Sequence, residues 1–136
     1  MGLFANFDIS GSAISAQSTR LNTTASNMAN TETIASSADK AYRARQPVFQ
    51  SMVNNRMQPG QVGVRMLGIV ESQTEVLKRY DPGHAMADEE GYIFASNVNS
   101  VEEMANMISA SRAYQNNVEV LNTSRDLLMR TLSLGS

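Results

Sequence analysis

The single histidine of this 136-residue chain lies in an acidic stretch, where acid–base or metal chemistry would first be sought. His84 stands within DPGHAMADEEG, and the carboxylates nearest to it in sequence are Asp81, Asp88, Glu89 and Glu90. The stretch lacks the alternating acids and terminal glutamate of a calcium loop, and a zinc site normally recruits several His or Cys ligands. We therefore interpret the stretch as a solvated acidic turn and expect no metal site.

Other catalytic patterns are missing from the sequence. There is no cysteine, which excludes disulfides, thiolate metal sites and a cysteine nucleophile. No nucleophile elbow, phosphate-binding loop or glycine-rich dinucleotide turn occurs. The adjacent pairs Glu89/Glu90 and Glu102/Glu103 would point apart on a helix, so they do not form a paired-carboxylate site. We expect a protein that is not an enzyme and that has no cofactor and no small-molecule ligand.

Charge and hydropathy also limit the possible partners. The net charge of −2 gives no basic field for nucleic acid or anionic lipid. No run approaches the ~20 apolar residues of a membrane span. The first residues, MGLFANFDISGSAIS, lack the basic start and apolar run of a cleavable signal peptide. The length fits one domain with a modest core.

The elements that would position any functional surface begin with a charge-poor helix. The stretch LNTTASNMANTETI is rich in Ser, Thr, Asn and Ala, and only Asp8 and Arg20 are charged between residues 3 and 31. An apolar row recurs every seven residues, namely Phe7, Ile14, Leu21 and Met28. A helix with so few charges suits crowded neighbours better than water. Because Gly11 and the Ser/Thr/Asn content weaken helicity, we expect this segment to be frayed when alone.

The middle of the chain changes to a β pattern. QVGVRML alternates apolar and polar residues, and YRARQPVFQSMV and GYIFAS also read as short strands. Residues 30–42 and 54–61 are predicted loops. In YDPGH, Pro82 and Gly83 fit the central positions of a type II turn, and EEGYI indicates a hairpin bend.

The last segment, about 100–133, is the clearest helix. Ser100 and Glu103 have the spacing of a capping box, and Gly135 is a natural stop. Met107, Tyr114, Leu121 and Leu128 recur every seven residues, with Val118 on the adjoining row. Two heptad-marked helices at opposite ends of one chain most simply pair with each other.

The predicted fold class is α+β, mainly α. Long N- and C-terminal helices pair as a coiled-coil-like hairpin, with a small β-rich module between them. We divide the chain into an N-terminal axial helix (1–35), a β-rich outer module with loops (36–97) and a C-terminal axial helix (98–136).

Three stretches of the sequence resemble a known family. LNTTASNMANTETI resembles the N-terminal signature of the flagellar axial family of rod, hook and hook-associated proteins. The closing NVNSVEEMANMISASRAYQNNVEVLNTSRDLLMRTLSLG resembles the C-terminal signature of that family. RYDPGHAMADEEGYI and YRARQPVFQSM resemble blocks of its short proximal rod proteins, of FlgC type. One departure is Ala85, where the family usually has proline after the histidine.

This resemblance implies a structural subunit of the bacterial flagellar basal-body rod, located in the periplasm. Its implied partners are other copies of itself, other proximal and distal rod proteins, the basal-body adaptor and the flagellar type III export apparatus. Such subunits leave the cell unfolded without a cleaved signal and assemble helically into the drive shaft that carries motor torque to hook and filament.

We predict that one set of residues packs within a subunit or between neighbouring subunits. Its apolar members are Phe7, Ile14, Leu21, Met28, Met107, Tyr114, Val118, Leu121 and Leu128, and its polar members are Asn27, Asn30, Arg112 and Gln115. Two alternatives remain open from the residues themselves. One is a soluble helical-hairpin adaptor between proteins outside a flagellum, and the other is an enzyme built around His84.

Overall fold

A computed structural model describes residues 3–53 and 62–135 of the chain. In chain order the elements are α1 (Leu3–Ala29), β1 (Ile34–Ala35), β2 (Arg45–Met52), β3 (Gly63–Glu71), β4 (Leu77–Tyr80), β5 (Tyr92–Ala95) and α2 (Ser100–Leu134). A small β region therefore lies between two long helices in chain order. The predicted fold class, α+β and mainly α, is confirmed.

The two helices pack side by side in opposite directions. The Ser96 amide donates to the Thr33 carbonyl at 3.3 Å, which ties the end of α1 to the approach to α2. Farther along the pair, Arg20 Nη2 donates to Asn106 Oδ1 at 2.9 Å. Ala16 and Ala110 are both buried at the next level of the pair. Small side chains at such positions allow two helices to approach closely.

The buried positions of α1 are mostly small and polar. Its buried residues are Ser10, Ala16, Thr23, Thr24 and Asn27. Threonine in a helix can bond to the carbonyl one turn back, as Thr23 Oγ1 does to Thr19 O at 2.9 Å. Four of the hydroxyls of α1, on Ser12, Thr19, Thr23 and Ser26, thus have hydrogen-bond partners inside the folded chain.

The strands form two separate sheets. β1, β5 and β4 make an antiparallel three-stranded sheet with β5 in the centre, where Ile93 is fully buried. β2 and β3 form a long antiparallel hairpin with a register shift between Val48 and Phe49. This hairpin lies against α1, and the Val64 amide donates to Ser12 Oγ at 3.1 Å.

Strand prediction succeeded where the pattern was long. The three predicted strands correspond to β2, β3 and β5, and β4 and β1 were missed. β1 falls inside the stretch 30–42 that was predicted as a loop, which is otherwise turns and coil. The predicted loop 54–61 lies outside the described residues. β4 reads LKRY, which has no apolar–polar alternation, and all four of its residues are exposed, so no periodic signal marks it.

The predicted bend in EEGYI exists inside a longer connection. β4 and β5 are joined by residues 81–91, and the Gly91 amide donates to the Asp88 carbonyl at 3.0 Å. Gly91 has a φ of 84°, and it is the one glycine with positive φ in the part of the chain that the structure describes. This left-handed conformation is the one that glycine adopts without steric cost.

Two local predictions were wrong. The His84 amide bonds to the Asp81 carbonyl at 3.2 Å, but Gly83 does not have the positive φ that a type II turn requires. The cap of α2 is Asn99, whose side chain accepts from the amides of Val101 and Glu102, so no capping box starts at Ser100. Asparagine and serine are both good capping residues, and the one that caps α2 is Asn99, one position before Ser100. α2 does end at Gly135 as predicted.

Candidate assembly interface

The buried apolar core of the chain is made mainly of alanine. Among the described residues its members are Ala16, Ala35, Ala41, Ala44 and Ala110, together with Ile93 and Val98. Most of the larger apolar side chains are at least partly exposed. Contiguous exposed apolar surface marks sites of interaction with other proteins. The chain therefore carries much of its apolar surface where a neighbour could cover it.

Exposed apolar side chains are concentrated on α2 and on the β2–β3 hairpin. Those of α2 are Val101, Met104, Ile108, Val120, Leu127, Met129, Leu132 and Leu134. Those of the hairpin strands are Val48, Met66, Leu67, Ile69 and Val70. On β3 these four residues fall on both faces of the ribbon, because successive side chains of a strand point to opposite faces.

The predicted packing residues occupy three environments in the single chain. The apolar ones are half-buried, namely Phe7, Ile14, Leu21, Met28, Met107, Tyr114, Val118, Leu121 and Leu128. Asn27 is buried, Asn30 is half-buried, and Arg112 and Gln115 are exposed on α2. The single chain thus leaves part of each apolar heptad residue uncovered, and whether neighbouring chains cover it stays a prediction.

Asn27 joins α1 to the start of β2. Its Nδ2 donates to the Arg45 carbonyl at 2.8 Å, and its Oδ1 accepts from the Arg45 amide at 2.9 Å. The Tyr42 hydroxyl donates to the same Oδ1 at 3.0 Å. Asn27 is 1% exposed, and its amide has the hydrogen-bond partners that a buried polar side chain normally requires. We call Asn27, Tyr42 and Arg45 the asparagine junction.

A second junction, which sequence reasoning missed, holds β2 to the approach to α2. Asn97 Oδ1 accepts from the Ala44 amide at 2.7 Å, and Asn97 Nδ2 donates to the Thr74 carbonyl at 2.8 Å. Arg43 Nη1 donates to the Ser72 and Thr74 carbonyls at 3.3 and 3.2 Å. In the sequence, Asn97 and Asn99 differ only by position within NVNS, so no local signal separated the two roles.

The side chains of His84 and Asp88 accept hydrogen bonds from backbone amides of their own connection. Its Nδ1 accepts from the Met86 amide at 3.1 Å, and Asp88 Oδ1 accepts from the amides of Glu90 and Tyr92 at 3.0 and 2.8 Å. Across residues 3–53 and 62–135, no group of three or more His, Cys, Asp or Glu is placed to hold a metal ion. Within the same ranges, neither helix is both long and apolar enough to cross a membrane.

Comparison with known proteins places this architecture in a family. Residues 89–134 match the family model described as flagellar basal body rod FlgEFG protein C-terminal. The flagellar basal-body rod protein FlgC of Escherichia coli O6:H1 is 47% identical over 135 residues, covering 99% of each chain. The FlgC of Yersinia enterocolitica is 48% identical over 137 residues, again covering 99% of each. The chain belongs to the FlgC family of flagellar basal-body rod proteins.

More distant FlgC proteins also align along the whole chain. That of Borreliella burgdorferi is 33% identical over 149 residues and covers 98% of both chains. The similarity to FlgC therefore includes both helices and the β region between them, and the family expected from the sequence resemblance is confirmed.

Proposed function

We propose that this chain is a structural subunit of the flagellar basal-body rod and assembles there with copies of itself and with other rod proteins. The observation that carries this proposal is identity of 47% to FlgC of E. coli O6:H1 over 99% of both chains. Proteins this similar over their full length share a fold and in most cases an assembly role. The exposed apolar surface of α2 and of the β2–β3 hairpin supports this proposal, because neighbouring subunits could cover it.

In this proposal α1 and α2 form the inner part of the rod. Residues 1–35 and 98–136 supply the axial helices, and residues 36–97 supply the outer module. The half-buried apolar row of α1 and the exposed residues Arg112 and Gln115 then contact neighbouring subunits. The low charge of α1 supports this placement, since burying charged side chains between subunits would be costly.

The proposal extends to how the subunit reaches the rod and what it does there. The flagellar type III apparatus exports it unfolded, and it then assembles helically in the periplasm with proximal and distal rod neighbours. The polymer serves as the drive shaft between motor and hook. A core built mainly from alanine supports export in the unfolded state, because little buried apolar area must be exposed to unfold it.

Leu21→Asp tests the role of the apolar row of α1. Leu21 is half-buried in the single chain, and a carboxylate there would be desolvated once a neighbour covered it. We expect cells that carry this variant to lose rod assembly and swimming, scored by soft-agar motility and by electron microscopy of isolated basal bodies. The matched control is Asn22→Asp, which adds the same charge at the exposed adjacent position. Normal swimming of the Leu21→Asp strain would contradict the buried-helix proposal.

A further inference from the structure

The two small sheets present strand edges that differ in how they are covered. An edge strand carries unpaired amides and carbonyls to which another strand can bind, and proteins usually protect such edges. In the order β1-β5-β4 the outer strands are β1 and β4, and in the hairpin both β2 and β3 are edges. β1 has only two residues, so it offers little to pair with.

Helix α1 covers the edge of β2 and the beginning of the edge of β3. The backbone amide and carbonyl of Arg45 point away from β3, and both bond to the Asn27 side chain. Backbone groups alternate along a strand, so the next residue that faces this edge of β2 is Pro47, which has no N–H to offer. Proline on an edge discourages the addition of a further strand. On β3 the Val64 amide donates to Ser12 Oγ at 3.1 Å.

The edge of β4 is open. The Asp81 amide donates to the Gly91 carbonyl at 2.9 Å, so Asp81 and, by alternation, Arg79 direct their backbone groups toward β5. Lys78 and Tyr80 therefore direct theirs to the other side, where the described residues place no further strand. All four residues of β4 are exposed. This edge could form about four backbone hydrogen bonds with an added strand.

The last part of the edge of β3 is open as well. The Ser72 amide donates to the Ala44 carbonyl at 2.8 Å, so the backbone groups of Ser72 face the β2 side. By alternation, Ile69 and Glu71 direct theirs to the outer side. The Glu71 carbonyl accepts from Gln73 Nε2 at 3.2 Å, and this exposed side chain could be displaced by the amide of an incoming strand.

The two open edges do not meet within one chain. β3 and β4 make no contact with each other. The connection between them is held elsewhere, since Arg43 Nη1 donates to the carbonyls of Ser72 and Thr74, and Asn97 Nδ2 also donates to the Thr74 carbonyl. A strand that covers either edge therefore comes from another molecule.

The open edges of β4 and β3 are complementary in backbone direction and in side chains. Antiparallel pairing between two copies can place Lys78 opposite Glu71. The same register places Tyr80 opposite Ile69, so that the outward backbone groups of both strands face each other. Opposite charges and aromatic–β-branched pairs both stabilise neighbouring strands. In the described part of the chain Lys78 forms no ion pair, and its Nζ lies 4.0 Å from the centre of the Tyr92 ring.

We propose that the open edge of β4 pairs with the open edge of β3 in a second copy of this chain. The two copies then share one antiparallel sheet, with three strands from one subunit and two from the next. This inference rests on the proposed function, because it names a contact within the rod. The contact joins two different edges, and such a head-to-tail contact generates an open helical polymer when it does not close on itself.

Pairing of β4 with a second β4 would have a different outcome. The same edge on both copies would close a dimer instead of extending a polymer. Centred pairing would also set Arg79 opposite Arg79 of the other copy, and like charges directly opposite are destabilising. Pairing with β3 replaces this repulsion by Arg79 opposite Val70.

Disulfide trapping between two single-cysteine variants tests the pairing, because the chain has no cysteine of its own. Val70 and Arg79 would face each other at a non-hydrogen-bonded position, where Cα atoms are about 4.5 Å apart, within the range of a disulfide. Cells that lack their own copy of the gene would express full-length Val70→Cys and Arg79→Cys chains together. Their oxidised basal bodies should contain a covalent dimer of this chain.

Each variant expressed alone should give no dimer, and a dimer from Arg79→Cys alone would indicate β4–β4 pairing and overturn the inference. The matched control replaces Arg79→Cys by Lys78→Cys, since Lys78 lies on the same exposed strand but on its other face. Equal cross-linking by this control, a cross-link to a different protein, or no cross-link also overturns the inference.

A charge exchange tests the same register without cysteine. Lys78→Glu or Glu71→Lys sets like charges opposite each other, so each should lower the amount of chain recovered with basal bodies several-fold. The double variant should recover most of the loss. The control combines Lys78→Glu with Glu75→Lys, which restores the net charge from an exposed residue of the adjoining connection and should not rescue.

Unchanged recovery of the single variants, no rescue by the double variant, or equal rescue by the control contradicts the proposed register. If the wild-type chain itself were absent from basal bodies, the proposed function would fail instead, so the two failures are distinguishable.

Discussion

At the scale of single residues, the asparagine junction shows why an amide is needed at position 27. Asn27 donates to the Arg45 carbonyl and accepts from the Arg45 amide, as a neighbouring strand would. The side-chain amide of asparagine or glutamine presents a donor nitrogen and an acceptor oxygen side by side, as a peptide group does. The longer glutamine would not fit the same two distances without moving α1. The junction therefore fixes where the hairpin begins relative to the helix.

Asn27→Asp should destabilise the chain by roughly 1–3 kcal/mol or more, because the Arg45 carbonyl loses its donor and a charge is buried. Urea unfolding of the purified chain measures the change. Asn30→Ala serves as the comparison, since Asn30 Nδ2 bonds only to the Ser26 carbonyl of its own helix. Equal stability of the two variants would show that the asparagine junction does not hold α1 to β2.

Gly91→Ala is expected to cost roughly 1–3 kcal/mol, because a left-handed backbone is unfavourable for alanine. The added Cβ would also lie 3.0 Å from Pro82 Cβ and from Tyr80 Cε2. Gly83→Ala in the same connection should be close to neutral, since its new Cβ would meet nothing nearer than Asp81 Oδ1 at 4.0 Å. Thermal unfolding compares the two variants, and Gly91→Ala should have the lower melting temperature. Similar melting temperatures would contradict backbone strain at position 91.

The residue types predicted some of these roles, but they did not predict the hydrogen-bond partners of the residues. Asn27 was expected at a polar junction because asparagine bonds backbone groups at helix ends. Its actual partners, Tyr42 and Arg45, depend on how the following loop folds back, which no local pattern encodes. Glu103 was expected in a capping box at the start of α2, and nothing in its local sequence indicated that the residue would be buried.

At the scale of elements, long periodic segments were predicted well and short ones were not. Both helices were found, because seven-residue spacing persists across each of them. The two-residue strand β1 and the exposed strand β4 carry no period, and they exist because β5 offers them an edge to pair with. The start of α2 was predicted correctly at residue 100, but its cap was assigned one residue too late, since Asn99 and Ser100 are both good capping residues.

The capping assignment leads to opposite expectations for neighbouring residues. Asn99 Oδ1 accepts from the amides of Val101 and Glu102 at 3.1 and 3.3 Å. Asn99→Ala should lower the free energy of unfolding by about 1 kcal/mol. Ser100→Ala should change it by less than about 0.5 kcal/mol, because the exposed first helical position tolerates alanine. Urea titrations followed by circular dichroism at 222 nm measure the free energy of unfolding of both variants. A larger loss of stability in Ser100→Ala than in Asn99→Ala would support a capping box at Ser100 instead.

At the scale of the whole molecule, the interior is held by small side chains and polar junctions more than by large apolar groups. Alanine burial contributes little per residue compared with leucine or isoleucine, whose burial stabilises by about 1.5–3 kcal/mol each. The helix pair therefore depends strongly on the two asparagine-containing junctions at one of its ends. Toward the other end of the pair, α1 contacts α2 and β3, and the described residues form no comparable junction there, so local stability should fall with distance from the two junctions.

Hydrogen exchange of the purified, dilute chain should show that gradient. Amides of α1 between Leu3 and about Ser18 should exchange fast, and those near Asn27 should be slower. In isolated basal bodies the whole of α1 should become protected, because neighbours then cover it. Sedimentation velocity should show a monomer before assembly. A dilute chain whose first thirty residues are uniformly protected would contradict the view that α1 is completed only in a polymer.

The antiparallel course of α1 and α2 brings the start of one helix and the end of the other to the same pole of the molecule. Labels on the first described turn of α1 and on the last turn of α2 would therefore sit at the same site. The exposed connection between β4 and β5 belongs to the sheet at the opposite pole. A short tag inserted between Glu89 and Glu90 is accordingly the better choice for imaging this protein in living cells.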